Sequence, residues 1–133
     1  MSFAPDLTEL LARARADLRM GVGVVLTGAG ASVLVMAAET LVAARLEAAR
    51  AMGGETALTI TARRAATLKA RVYDGDMARV ALPGDADLRW VRAVADPAGD
   101  LTHPMKGPLR SLRGGDAALH RTALRLVKSA HLL

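Results

Sequence analysis

The sequence predicts an α+β domain in which short strands and helices interleave. Three observations carry that expectation. Two apolar, β-rich runs, Val22–Leu26 and Val33–Ala38, are joined by the short stretch Thr27-Gly28-Ala29-Gly30-Ala31-Ser32, for which a hairpin is the simplest geometry. A helical pattern precedes the pair, with Leu7, Leu10, Leu11, Ala14 and Leu18 on one face. An antiparallel opening hairpin followed by further alternating elements fits α+β better than a doubly wound parallel sheet.

The first helix starts at Asp6, with Glu9 at the capping-box spacing, and Gly21 stops it. After the hairpin, a second helix is expected from about Thr40 to Met52, with Leu41, Ala44, Ala48 and Met52 on one face and Gly53-Gly54 ending it. Ala57–Thr61 reads as a short strand, and Thr61 can cap a helix over Ala62–Lys69. Arg71–Leu82 is mixed: Asp74-Gly75 marks a turn and Ala78–Leu82 alternates weakly as a strand, broken by Pro83-Gly84. Asp85 or Asp87 caps a helix through Leu88, Val91 and Ala95, which Pro97 ends. Asp96–Gly107 is the longest loop, and Pro108–Leu112 is a possible short strand. Asp116, after Gly114-Gly115, is expected to cap a last helix with Leu119, Ala123, Leu126, Val127 and Ala130 on its apolar face. His131-Leu132-Leu133 follows without a recognisable C-cap, an apolar ending that suggests a piece of a longer protein.

The 133 residues suit a single domain, 1–133. Hydrophobic residues make up 52%, enough for a core, but aromatics only 2%, so that core is aliphatic. Cysteine is absent, which excludes disulfides and thiolate metal sites within these residues and fits a cytoplasmic setting. No apolar run reaches the roughly 18 residues of a membrane span, and MSFAPDLTELL has acids where a signal peptide has a basic start. The net charge of +5 invites a nucleic-acid reading. Against it, Arg13, Arg15, Arg45, Arg50, Arg63 and Arg64 alternate with Ala and Leu as on solvated helix faces, so nucleic acid is not the expected partner.

Chemistry is sparse. Gly28-Ala29-Gly30 lacks the Lys and Ser or Thr of a phosphate loop and the third glycine of a dinucleotide fingerprint, and it leads into a strand rather than a helix. It reads as a tight turn. His103, His120 and His131 show no two-ligand helical spacing, and His120 reads as a histidine at the edge of the core. Asp74-Gly75-Asp76 lacks the remaining ligands of a calcium loop and reads as a turn.

Three stretches, in order, resemble the 3,4-dihydroxy-2-butanone-4-phosphate synthase family of riboflavin biosynthesis. They are Ala16–Gly21 with Leu34-Val35-Met36-Ala37-Ala38-Glu39, then Leu58–Leu68, then Val91–Pro97 with Gly107–Arg110, Gly114-Gly115 and the helix carrying His120. The second of these groups is similar to the family's "LT" and "ERAERLGL" segments, and the block LVMAAE is the most specific part of the match. The resemblance implies a shortened version of the family's fold, a mixed sheet with helices packed on it. In the family, an acidic loop before LVMAAE holds magnesium and acts on a sugar phosphate. Its two Glu positions fall on Ala29 and Ala31, and its Asp on Val33. His120 matches the family's metal-binding histidine, while the active-site Glu two residues on becomes Thr122. The Thr- and Gly-rich substrate segment has no room between Arg71 and Leu88.

Methyl groups neither ligate magnesium nor move protons. The expectation is therefore a catalytically inactive synthase-like domain, with no catalytic, cofactor-binding or metal residue assigned. The resemblance implies a place at the N-terminus of a GTP cyclohydrolase II-type protein, with zinc only in the downstream cyclohydrolase domain, a homodimer, and a structural, assembly or regulatory role. The rival readings are a residual lyase acting on ribulose 5-phosphate and a basic module for phosphate, nucleotide or RNA.

Overall fold

Helix α1 (Leu7–Arg19) begins with the expected capping box: Glu9 N–H donates to the Asp6 carboxylate at 2.9 Å and Asp6 N–H to the Glu9 carboxylate at 3.2 Å. It ends in a Schellman turn. Gly21 N–H donates to Leu18 O, and Val22 N–H to Asp17 O at 2.8 Å, with Gly21 at φ +78°. A Cβ on Gly21 would lie 2.6 Å from the Thr40 carbonyl oxygen. Gly21→Ala therefore meets both left-handed strain and a backbone clash, and a loss of about 2–4 kcal/mol is expected in urea unfolding. Gly53→Ala is the matched control. Gly53 has φ +79° but open space around it, so only the strain of about 1–2 kcal/mol applies.

The computed structural model describes residues 3–28, 30–73, 75–100, 109–113 and 117–132. After α1 come β1 (Val24–Gly28), β2 (Ala31–Val35), α2 (Ala43–Ala51), β3 (Ala57–Thr61), α3 (Ala62–Leu68), β4 (Met77–Ala81), α4 (Leu88–Ala95), a 3-10 turn (Pro97–Gly99) and α5 (Ala118–Ser129). The class is α+β. The expected hairpin is present as β1–β2, registered from Val24↔Val35 to Gly28↔Ala31, with Gly30 at φ +79°. β2 stops at Val35 rather than Ala38 because Ala37 and Ala38 are buried in succession, whereas a half-buried strand alternates faces.

β3 pairs with β4 in antiparallel register, Ala57↔Ala81 to Thr61↔Met77. Both sheets are two-stranded and antiparallel, so the expected mixed sheet is not formed among the described residues. The reason lies in α3. It is followed by residues 69–76, and together they bring the chain back to the end of β3 that it left rather than across to the far end. The chain re-enters where it left, with Ala62 N–H donating to Asp76 O at 3.0 Å. β4 is buried along Met77–Val80, including Arg79, rather than alternating. Its second edge explains this: Ser111 bridges Val80, Ala81 N–H donates to Arg110 O, and Leu112 N–H donates to Arg79 O. The strand expected over 108–112 is thus a single bridge within 109–113.

Thr61 and Asp87 cap α3 and α4 as expected, accepting from Arg64 N–H and Trp90 N–H. α2 starts three residues later than expected and turns a different face inward: Leu46 is buried, while Ala44, Ala48 and Met52 are exposed. Leu46 is the one large apolar side chain of that helix, so its burial outweighs that of the alanine row. Asp116, the expected cap of α5, lies outside the described residues, as do Gly114 and Gly115. The C-terminal end of α5 does have a cap. His131 takes the left-handed position at φ +62°, and its N–H donates to Lys128 O while Leu132 N–H donates to Val127 O. No helix of the described residues is long and apolar enough to cross a membrane.

The buried apolar residues form three clusters. The first joins α1, β2 and α5 through Leu18, Val35, Ala37, Leu126 and Val127. The second joins β3, α3 and β4 through Ile60, Ala65, Ala78 and Val80. The third gathers Ala38, Leu41, Leu46 and Val91.

Candidate functional site

Between the two hairpins lies a cavity of about 900 Å³. β2 contributes Val33 and Val35, β3 contributes Leu58 and Ile60, and α5 contributes His120 and Val127. Thr56 and Thr59 also line it, as does Thr61, whose hydroxyl is occupied in capping α3, and Glu55, Arg63 and Lys128 add charge.

α5 positions the histidine. A Cβ built on Gly28 would lie 3.5 Å from the Leu119 side chain, so the end of β1 abuts the first turn of α5, and His120 is the next residue. His120 and Val33 therefore share a cavity wall. The remaining positions of the resemblance are dispersed. Ala31 is exposed on β2, Thr122 is exposed and does not line the cavity, and Ala29 lies outside the described residues. Beside Val33, the polar groups of the hairpin are Thr27 and Ser32, whose hydroxyls hydrogen-bond each other at 3.0 Å. His103 lies outside the described residues, and His131 serves as the helix-ending residue. Among the described residues, no three His, Asp or Glu side chains are grouped so as to hold a metal ion.

Of Asp74-Gly75-Asp76, Gly75 takes φ +82°, as a turn requires, and Asp74 lies outside the described residues. Asp76 accepts from Arg121 Nε at 2.9 Å, and that hydrogen bond holds its carboxyl below the usual carboxylate range. Because the folded-state value is lowered, the contribution of the pair is present at neutral pH. It fades as the pH falls through that range.

Of the six arginines expected on solvated faces, Arg13, Arg45 and Arg63 are exposed and Arg64 departs from the expectation. Arg64 is buried, and its guanidinium donates to Val94 O at 2.8 Å, to Ala93 O at 3.1 Å and, bidentately, to Asp100 at 2.7 and 2.9 Å. It therefore closes the C-terminus of α4, where carbonyls lack helical partners and a cation is favoured. Arg19 donates to Ala130 O at the end of α5, and Arg45 to Gly21 O at the end of α1. Arg50 donates to Pro83 O and Ala86 O, and Arg92 to Leu41 O. These side chains tie the backbone of one element to another.

Neither the cavity nor the role of Arg64 is written in local sequence. Val33–Ala38 reads as an apolar, β-rich run and Ala57–Thr61 as a short strand, but nothing in either says that they face one another across a space. Comparison with protein-family models, with curated proteins and with solved structures found no match.

Proposed function

We propose that the chain is a catalytically inactive, synthase-like domain of a GTP cyclohydrolase II-type riboflavin biosynthesis protein, with a structural, assembly or regulatory role. One juxtaposition supports this reading. The hairpin that would carry the acidic loop abuts the helix bearing His120, yet Val33 faces that histidine's cavity with an isopropyl group. A magnesium ion prefers a near-octahedral set of hard oxygen ligands, and one imidazole with two hydroxyls that satisfy each other supplies no such set. Zinc and GTP chemistry would belong to a downstream cyclohydrolase domain in the same polypeptide.

The direct test is ribulose 5-phosphate turnover with saturating Mg²⁺, followed by ¹³C NMR at high protein concentration. The expected result is that ribulose 5-phosphate is not consumed. Turnover that disappears in His120→Ala would make the domain a residual lyase and overturn the proposal. The basic-module reading is weakened by the occupation of Arg19, Arg45, Arg50, Arg64 and Arg92 on backbone carbonyls.

The proposal includes a homodimer. Phe3, Leu7, Leu10 and Leu11 are exposed on and just before α1, Leu7 by 71%. Leu7, Leu10 and Leu11 have the spacing of one helix face, and α1 packs only its later turns, through Ala14 and Leu18, against the first cluster. Leu10→Glu should convert the dimer to a monomer in size-exclusion chromatography with light scattering, with an unchanged circular dichroism spectrum. A wild-type monomer at about 50 μM, well above the Kd of an ordinary stable dimer, would remove this part of the proposal.

A further inference from the structure

The central cavity has a size and a lining that a sugar phosphate does not explain. Its volume of about 900 Å³ falls within the range of small-molecule sites, roughly 300–1,000 Å³. All three apolar clusters send residues into its wall: Val35 and Val127 from the first, Ile60 from the second, and Leu41, Leu46 and Val91 from the third. A domain of this size usually closes one contiguous core. Here Leu58 and Trp90 pack against both the second and the third cluster, all three clusters line the same space, and an apolar body placed there would extend their contacts. Polyols and sugar phosphates would meet aliphatic side chains on most of that wall and lose hydration without replacement hydrogen bonds.

The charged residues of the wall set the other end of the ligand. Arg63 and Lys128 are exposed side chains on α3 and α5, and Glu55 is the one acid of the lining among the described residues. Arg64 also reaches the wall, but its guanidinium is committed to Asp100 and the end of α4. The charge balance of the described lining is therefore cationic. We infer that the cavity binds an amphipathic anion, a molecule with a flexible aliphatic body and a single acidic head group. The body would lie between β2, β3 and α5, with the head at Arg63 and Lys128. This inference concerns the cavity itself and stands independently of the synthase-like reading.

The test uses the intact, delipidated chain and dodecanoate below its micellar concentration, followed by calorimetry and by the ¹³C shift of the labelled carboxylate. One dodecanoate per chain is expected, with Kd of about 0.1 mM or tighter, in line with ordinary ligand efficiencies. Lys128→Glu should weaken dodecanoate about tenfold, and Arg63→Glu similarly, while dodecanol binding stays within about twofold of wild type. Both residues are exposed, so neither change threatens folding. Ala123→Phe, which fills the α5 wall, should abolish binding of both ligands; Ala49→Leu fills the α2 side should the first variant fail to fold. Three results would overturn the inference. One is the absence of saturable dodecanoate binding. Another is binding that ignores both the charge-reversal and the cavity-filling variants. The third is competition by inorganic phosphate alone at equal affinity, which would mark a polar anion site instead.

Discussion

Arg64→Met should remove about 3–5 kcal/mol of stability, a large part of what a domain of this size possesses. The guanidinium is 9% exposed, and its partners are not water but two helical carbonyls and a carboxylate. Truncation leaves the last carbonyls of α4 without donors and leaves Asp100 without its bidentate partner. A methionine side chain keeps most of the packing of the stem, so the loss reports the polar contacts rather than a hole. Arg64→Lys should recover only part of it, because a single ammonium cannot hold the carboxylate and the helix end together. The adjacent Arg63 is exposed, and Arg63→Met should stay within about 0.5 kcal/mol. Urea unfolding of the three variants decides the matter, and equal losses at positions 63 and 64 would refute the assigned role.

Leu18→Ala should cost about 3–4 kcal/mol. Leu18 is fully buried against Val35, Ala37, Leu126 and Val127, and leucine-to-alanine changes in cores cost roughly 2–5 kcal/mol depending on how far the site collapses. Collapse is restricted here. The Leu18 carbonyl accepts from Thr40 Oγ1 at 2.6 Å and from Gly21 N–H, so the end of α1 is pinned at the point where the void would open. Met20, two residues on, is 68% exposed, and Met20→Ala should stay within about 0.5 kcal/mol. A Leu18→Ala loss below about 1.5 kcal/mol would show that the first cluster is loosely packed.

These two residues also illustrate what could be read from the chain. Leu18 sits on a face marked by periodicity, but the same periodicity marks Leu7, Leu10 and Leu11, which are exposed. Period alone identifies a face, not how much of its length finds a partner. Arg63 and Arg64 are neighbours with the same local context. One is exposed and the other buried because only position 64 faces the end of α4, a relation between segments thirty residues apart. Local signals fared better. The capping box at Asp6 and Glu9, the caps at Thr61 and Asp87, the strand Ala57–Thr61 and the central hairpin each depend on residues within a few positions of one another. The mixed sheet did not, since it depends on how strands separated by α3 and the residues after it come together. The cavity is the extreme case, because it is made by the separation of elements rather than by any of them.

Mn²⁺, as a paramagnetic substitute for Mg²⁺, tests the proposed loss of chemistry most directly. In ¹H–¹⁵N spectra of the intact chain titrated with Mn²⁺, the amides of β2 and of the first turn of α5 should show no saturable broadening, because Val33, Thr27 and Ser32 offer no carboxylate beside His120. Saturable broadening centred on Val33 and His120, lost in His120→Ala, would contradict that account and restore a metal site to the hairpin.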